Sequence, residues 1–404
     1  MTHRFVQRSH ALNFLNKYKQ QPLIKVVSGI RRAGKTTLFL LFQDELLQQG
    51  VTQQQIISIN FDDYKFRELS DPHQLHQYIL SKLMVNQMNY IFLDEIQTVP
   101  HFEKLLDSLL YREEIDLYIA SSNSSFITEL EQSELSGRYI IQTMLPLSFN
   151  EYVHWHQQNN HFFTVKELFN QYLKNSFPFT VFFNSDQERL DYLEGVYSTV
   201  VLNDIVKRLS VQDVRVLERL IEALVLSIGN LVTINKLKNK LKQLNTPIAN
   251  NTIDRYINGI LDSNILYSAR RFDIPSLQIL KTQEKYYMVD VGLQQLVLNG
   301  QESDFESVLE NIVYLELIRR GYQVYVGKSN QYKIDFVVLD ANQEYSYYQV
   351  AVSMADENVL KQELKCLQSI HDYYPKYLLS LDEASPKANY GGIKKLNLLD
   401  WLLE

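Results

Sequence analysis

Cysteine is almost absent from this chain, because Cys366 is the only one among 404 residues. A single cysteine cannot form an intramolecular disulfide, so the sequence excludes a disulfide-stabilised scaffold and fits a reducing compartment. Long apolar segments are lacking too, since the N-terminus holds no signal-peptide core and no window of about 20 residues is apolar enough to span a bilayer. We therefore expect a cytoplasmic protein with no membrane segment, in which Cys366 is an inert core thiol.

An excess of positive charge is also lacking. The chain has 40 Lys and Arg against 47 Asp and Glu, for a net charge of −7. This balance excludes a general attraction to nucleic acid, so any such binding must come from a local patch. The apolar content of 45% is that of a globular protein, and the length predicts about two to four domains.

A glycine-containing stretch, GIRRAGKT at residues 29–36, stands between two apolar segments. The apolar run before it predicts a buried strand, and residues 37–47 predict a helix. Strand, glycine loop and helix form the context of the phosphate-binding P-loop, G-x-x-x-x-G-K-[ST]. A chance glycine turn is the alternative, which both flanking elements disfavour.

The residue types of this loop fit the triphosphate of a nucleotide bound with Mg²⁺. Gly29 and Gly34 allow the backbone to wrap closely around a phosphate, and the helix start directs its free N–H groups at it. Lys35 is predicted to contact the β- and γ-phosphate oxygens, and the Thr36 hydroxyl is predicted to be a Mg²⁺ ligand. The predicted ATP-binding residues are Gly29, Ile30, Arg31, Arg32, Ala33, Gly34, Lys35, Thr36 and Thr37.

Two carboxylates follow a second apolar run, YIFL at residues 90–93. A buried strand that ends in Asp-Glu after a P-loop is the Walker B pattern. Asp94 is predicted to hold Mg²⁺, and Glu95 to polarise the water that attacks the γ-phosphate. A hydrolytic enzyme needs both roles, because a metal-bound carboxylate is a poor base.

Polar residues after the next predicted strand, residues 115–120, are candidates for further catalytic roles. Ser122 and Asn123 are placed to sense the γ-phosphate or the attacking water, although a simple Ser/Asn turn explains them equally well. Arg138 is a candidate for stabilising the transferred phosphoryl group, in cis or across a subunit interface. A surface arginine in a salt bridge is the equal alternative.

A locally basic segment lies at residues 231–271, with seven Lys and Arg against two Asp. Its predicted order of helix, turn, helix and strand is that of a winged helix. Double-stranded DNA is therefore a candidate partner, and a winged helix used only for packing or protein contact is the alternative. The candidate DNA-contacting residues are Lys236, Lys238, Lys240, Lys242 and Arg255.

The motifs GIRRAGKTTL, YIFLDEIQ, SSNSSFITELEQSELSGRY and LPLSFNEY occur in this order, and similar segments continue to YYQVAVSM at residues 347–354. Together they resemble a large prokaryotic family of AAA-type ATP-binding proteins over almost the whole chain. One departure is Ser121-Ser122, where members often have Gly-Ser. The resemblance implies an α/β fold that begins with an AAA-like P-loop domain built on a parallel sheet.

The expected division has four parts. Residues 1–153 form the ATPase domain, 154–228 a helical linker, 229–297 a winged-helix-like domain, and 298–404 a small α/β domain similar to restriction-endonuclease-like folds. In such folds an acidic residue on a helix joins Asp and Glu/Gln-x-Lys on strands, which here are Glu310, Asp335 and Gln349. The lysine position holds Ala351, and Lys333 does not replace it, so nuclease activity is disfavoured.

These features predict an ATPase, an acid anhydride hydrolase, that uses ATP and Mg²⁺ and acts as a nucleotide-driven switch associated with DNA. The predicted catalytic residues are Lys35, Glu95, Asn123 and Arg138. The alternatives are an ATP-dependent nuclease and a passive nucleotide-binding scaffold for a protein partner. The sequence leaves oligomerisation open.

Overall fold

The computed structural model describes residues 5–159, 162–246, 248–301, 304–383 and 387–404. They form two compact units. Unit 1 consists of Met1–Pro146 together with the short segment Asp262–Asn264, and unit 2 consists of Leu147–Leu261 and Ile265–Glu404.

Unit 1 alternates strands with helices. Its strands are β1 (Ile24–Ser28), β2 (Ile56–Asn60), β3 (Asn89–Asp94), β4 (Ile115–Ser121) and β5 (Tyr139–Thr143). Its helices are α1 (Ser9–Lys17), α2 (Lys35–Gln48), α3 (Pro72–Lys82), α4 (Phe102–Leu110) and α5 (Ser125–Glu131), with short 3₁₀ turns at Gln53–Gln55, Tyr64–Ser70 and Ile96–Thr98.

All five strands are parallel, in the order β2-β3-β4-β1-β5. Every residue of β1, β3 and β4 is buried, which is typical of a parallel sheet covered on both faces. The predicted α/β class with a parallel P-loop sheet is therefore confirmed. Because parallel strands end at one edge, the residues that follow β1, β3 and β4 lie together.

Unit 2 begins with helices. They are α6 (Phe149–Gln158), α7 (Val165–Tyr172), α8 (Asp186–Thr199), α9 (Lys207–Leu209), α10 (Val214–Val225), α11 (Ile234–Gln243) and α12 (Asn250–Asp262). A 3₁₀ turn covers Pro178–Phe182, and a π-helical stretch, Val200–Val206, joins α8 to α9. The last residue of α12, Asp262, already belongs to unit 1.

An eight-stranded mixed sheet follows, in the order β12-β13-β11-β10-β9-β8-β6-β7. Its strands are β6 (Leu266–Asp273), β7 (Gln278–Met288), β8 (Gln323–Ser329), β9 (Tyr332–Leu339), β10 (Tyr345–Val350), β11 (Lys376–Ser380), β12 (Ala388–Tyr390) and β13 (Ile393–Asn397). The accompanying helices are α13 (Val291–Leu298), α14 (Phe305–Arg319), α15 (Glu357–Gln368) and α16 (Leu398–Leu403). The hairpin β6–β7 therefore continues the same sheet as the C-terminal strands.

None of the helices within the described residues is both long enough and apolar enough to cross a membrane.

Candidate functional site

The loop between β1 and α2 lies where the sequence places the P-loop. Gly29 follows the last residue of β1, and a Cβ at this position would come within 2.1 Å of the Met144 carbonyl oxygen. Gly34 begins the helix at a φ of 99°, in the left-handed region that favours glycine. Only glycine therefore fits at both positions, for two different reasons.

The Lys35 side chain is buried and turned back into this loop. Its ammonium donates to the carbonyl oxygens of Gly29 at 2.9 Å and Ile30 at 3.2 Å, and it lies 3.6 Å from Glu95 Oε1. A positive charge is thus held inside the loop that is predicted to receive phosphates.

Arg8 is a buried residue that fixes this loop from outside the motif. Its guanidinium donates to the carbonyl oxygen of Ala33 at 2.8 Å and to that of Leu145 at 2.7 Å. Sequence reasoning missed Arg8, because it lies 25 residues before Ala33 and carries no motif of its own.

Asp94, at the end of β3, reaches the first turn of α2. The Thr36 hydroxyl donates to Asp94 Oδ2 at 2.5 Å, while Asp94 Oδ1 is buried without a hydrogen-bond partner among the described residues. Burial, with the negative charge of Glu95 adding to it, raises the pKa of Asp94 to about 6. A hydroxyl and a buried carboxylate oxygen without a partner are hard oxygen donors, so Thr36 and Asp94 fit a Mg²⁺ ion.

Glu95 is held in place from three sides. Its Oε2 accepts hydrogen bonds from Gln97 at 2.5 Å and from the Ser122 hydroxyl at 2.7 Å, and its Oε1 faces Lys35. Burial alone would raise the pKa of Glu95, but the charges of Lys35 and Arg31 and these hydrogen bonds outweigh it and hold the pKa below its ordinary value. The carboxylate is therefore ionised at neutral pH.

The backbone of Glu95 is also unusual, with a φ of 59°. Non-glycine residues in the left-handed region are uncommon and cluster at functional sites, because the surrounding structure must stabilise them. The Glu95 N–H donates to the Ala120 carbonyl at 2.8 Å, which ties this conformation to β4.

The loop after β4 places Ser122 and Asn123 differently. Ser122 donates to Glu95 through both its hydroxyl and, at 3.2 Å, its N–H. The Asn123 side chain instead accepts from the Ser125 N–H at 2.9 Å, at the start of α5. Of the two candidate sensors, the structure thus brings Ser122 to the carboxylate.

Arg138 lies at the amino-terminal ends of the parallel strands, opposite the end at which the P-loop lies. The residue after it, Tyr139, pairs with Ile24 at the amino end of β1, whereas the P-loop follows the carboxyl end of that strand. The Arg138 guanidinium is 2.7 Å from Asp107 Oδ1 and lies over the ring of Tyr111. The structure does not bring Arg138 to the P-loop of its own chain.

The five candidate DNA-contacting residues lie on two successive helices of unit 2. Lys236, Lys238 and Lys242 are exposed on α11, and Arg255 is exposed on α12, while Lys240 is half-buried. Burial lowers the pKa of Lys240. Four of the five candidate DNA-contacting side chains are therefore exposed.

Asp335 and Gln349 lie on neighbouring strands of the C-terminal sheet, and their side chains contact each other's strand. Gln349 Oε1 accepts from the Asp335 N–H at 3.2 Å, and Asp335 Oδ2 accepts from the Val350 N–H at 2.9 Å. The structure adds a lysine that the sequence did not reveal, since Lys285 on β7 lies 2.7 Å from Glu310 Oε1 and 3.9 Å from Asp335 Oδ1.

The Lys285 side chain is buried, and its ammonium is held by these two carboxyl groups. Burial, with the charge of Glu310 adding to it, raises the pKa of Asp335 to about 8, while the Lys285 ammonium forms its shorter contact with Glu310. Among the residues that the structure describes, no group of three or more His, Cys, Asp or Glu is arranged to hold a metal ion.

Comparison with known proteins agrees with the fold. Residues 21–153 match the family model of the AAA domain, and residues 138–304 match that of a domain of unknown function (DUF8612). A Walker-type ATPase of Pyrococcus abyssi has a similar structure, with a TM-score of 0.52, 14% identity, and coverage of 72% of this chain and 95% of that one. The first unit is thus a P-loop domain of the AAA type.

Relatives of known sequence extend over both units. An uncharacterized protein of Haemophilus influenzae is 32% identical over 406 residues, covering 100% of both chains. An uncharacterized protein of Methanocaldococcus jannaschii is 26% identical over 80% of this chain and 73% of its own length. The chain belongs to a family of AAA-type P-loop proteins that carry an additional domain of unknown function.

Proposed function

We propose that this protein binds Mg-ATP at residues 29–37 and hydrolyses it, and that it acts as a nucleotide-driven switch. The observation that supports this best is the meeting of four side chains at one edge of the parallel sheet. Lys35 and Thr36 come from the start of α2, and Asp94 and Glu95 from the end of β3.

Each of the four side chains has a separate role in this proposal. The Lys35 ammonium exchanges its two carbonyl acceptors for the β- and γ-phosphate oxygens. Thr36 and the unpaired Oδ1 of Asp94 would hold Mg²⁺, which, when bound, neutralises charge that develops on the phosphate oxygens. Glu95, ionised and held beside Lys35, orients the attacking water and accepts its proton.

The decisive experiment compares phosphate release by the wild type and by Glu95→Gln. Glutamine keeps the size and the hydrogen-bonding reach of the side chain but cannot accept a proton. We expect kcat to fall by about 10²- to 10⁴-fold, the usual contribution of a general base, while the affinity for ATP is retained. Equilibrium titration with a fluorescent ATP analogue measures that affinity.

Lys35→Ala is the complementary variant. It removes the only ammonium that the described structure places inside the loop, so ATP binding itself should be lost. Unchanged phosphate release by Glu95→Gln would show that Glu95 is not the base. A wild type that binds ATP without releasing phosphate would favour the passive scaffold instead.

For the partner, we propose double-stranded DNA. The exposed lysines 236, 238 and 242 repeat along α11, and Arg255 adds a cation on α12. Ammonium and guanidinium groups neutralise backbone phosphates without reading sequence. A protein partner is the alternative.

A further inference from the structure

A three-residue turn of unit 1 comes from a distant part of the chain. Asp262–Asn264 is grouped with the P-loop domain, although the residues on both sides of it belong to unit 2. Asn264 is 5% exposed and takes a φ of 59°. A buried polar residue in a left-handed conformation needs hydrogen-bond partners to stabilise it.

The partners of this turn lie in the loop after β4. The Asn264 side-chain amide donates to the carbonyl oxygen of Ser122 at 3.1 Å. The Ser124 N–H donates to the carbonyl oxygen of Asp262 at 2.8 Å. The turn therefore fixes the loop backbone at two points, on either side of residue 123.

Ser122 is the loop residue that holds Glu95. Its hydroxyl donates to Glu95 Oε2 at 2.7 Å and its N–H donates to the same oxygen at 3.2 Å. Asn264 is thus connected to the Glu95 carboxylate by two successive hydrogen-bonded pairs, Asn264 with Ser122 and Ser122 with Glu95. Both Ser122 and Asn264 are buried. Catalytic groups lose much of their effect when they are displaced by about 1 Å. A residue that fixes Ser122, and through it Glu95, therefore affects the rate.

We propose that Asn264 is a positioning residue for Glu95 and acts through Ser122. The inference rests on the proposed ATPase function, because the position of Glu95 affects a rate only if Glu95 activates water. Asn264 donates to the loop and not to Glu95 itself. Its loss therefore lowers kcat and leaves the affinity for ATP unchanged.

The test is Asn264→Gly in the full chain. Glycine accepts the positive φ without strain, so this change removes the amide and keeps the turn. We expect kcat for phosphate release to fall about tenfold, as for the loss of one positioning hydrogen bond, and the Kd for ATP to change by less than about twofold.

Asn86→Gly is the matched control. Asn86 belongs to unit 1, has the same φ of 59° and is exposed, so its replacement should leave both kcat and Kd unchanged. If Asn264→Gly does not fold, Asn264→Ala serves instead, because it lacks the donor and adds no charge near Glu95. Circular dichroism establishes that each variant is folded.

A double-mutant cycle with Ser122→Ala separates positioning from general support of the fold. If Asn264 acts through Ser122, the two changes together lower kcat by clearly less than the product of their separate effects. If the double variant instead loses kcat by the full product of the two separate effects, the proposal is overturned. It is also overturned if Asn264→Gly has the same kcat as Asn86→Gly, or if its affinity for ATP falls as much as its kcat.

Glu95→Gln, measured in parallel, distinguishes the two ways in which the inference can fail. If Glu95→Gln hydrolyses ATP like the wild type, the proposed function fails and the inference falls with it. If Glu95→Gln is impaired and Asn264→Gly is not, only the inference about Asn264 fails.

Discussion

The buried ammonium of Lys285 lies between two carboxylates that come from different elements of unit 2. Its 2.7 Å contact to Glu310 Oε1 joins β7 to α14, and Tyr287, also on β7, donates to the same oxygen at 2.6 Å. Burial alone would lower the pKa of Lys285, but Glu310 and Asp335 outweigh it and raise the pKa above its ordinary value. The lysine is therefore charged, and Glu310 depends on it.

Replacement of Lys285 by methionine should strongly destabilise unit 2. Methionine has a similar volume but no charge, so Glu310 would remain buried without its cation. Breaking one side of a buried ion pair costs about 3–5 kcal/mol of unfolding free energy. Urea unfolding followed by tryptophan fluorescence measures the loss in unit 2, because both tryptophans, Trp155 and Trp401, lie there.

Lys361→Met is the control for this change. Lys361 forms an exposed pair with Glu357 one turn away on α15, so its loss should cost less than about 0.5 kcal/mol. Equal losses for the two variants would show that the Lys285 cluster does not stabilise unit 2.

The sequence predicted the positions of some site residues and not of others. Lys35, Thr36, Asp94 and Glu95 could be placed because each belongs to a short motif after a predicted strand. Lys285 could not, because its partners lie on α14 and β9, which approach β7 only in the folded tertiary structure. For the loop after β4, the pattern predicted polar contacts but could not choose between Ser122 and Asn123.

At the scale of elements, the P-loop depends on how closely β1 approaches the end of β5. The Met144 N–H donates to the Ser28 carbonyl at 2.7 Å, and the Met144 carbonyl lies against Gly29. There is therefore no space for a side chain at Gly29, the first residue of the loop.

Gly29→Ala should displace the P-loop and weaken ATP binding. Because the added methyl group would meet backbone rather than a movable side chain, the loop must shift, at a cost of about 1–3 kcal/mol. If the shift opposes the bound conformation, the Kd for ATP rises by about 10- to 100-fold. Nucleotide titration measures the change.

Gly195→Ala is the matching control, because the position lies inside α8 with nothing within 4 Å of the added Cβ. It should leave the Kd for ATP unchanged and stabilise the helix by about 0.5–1 kcal/mol. A Gly29→Ala variant with wild-type affinity would contradict the requirement for glycine at the start of the loop.

Individual elements were largely predictable, and their assembly was not. Apolar runs located β1, β3 and β4, and the segment at residues 37–47 was expected to be a helix, where α2 lies. The strand order and the joining of the β6–β7 hairpin to the C-terminal strands were beyond periodicity, because they depend on pairings between distant segments. The π-helical stretch at Val200–Val206 likewise leaves no signal in a 3.6-residue pattern.

At the scale of the whole molecule, the net charge of −7 opposes binding to a polyanion. Any affinity for DNA must therefore come from a local cluster of exposed cations, which we propose to be that of α11 and α12, and must depend steeply on salt. This dependence distinguishes a local DNA-binding surface from weak general attraction.

Replacing Lys238 and Lys242 together by glutamine should abolish much of this affinity. The two exposed lysines lie one turn apart on α11, and each phosphate contact adds about 0.9 to the slope of log K against log salt concentration. The double variant should therefore lose about two from that slope, measured by fluorescence anisotropy on a labelled duplex. If DNA is also the trigger of the switch, duplex DNA raises the wild-type rate of phosphate release and not that of the double variant.

Lys361→Gln with Lys365→Gln is the control, since these exposed lysines have the same spacing on α15. It changes the net charge of the molecule by the same amount, so an equal loss of DNA affinity in both double variants would mean that total charge, and not α11, governs binding. Another outcome is that the wild type fails to bind duplex DNA and releases phosphate at the same rate with and without it. That result would contradict the proposal of a DNA partner and would favour a protein that contacts the α11 lysines.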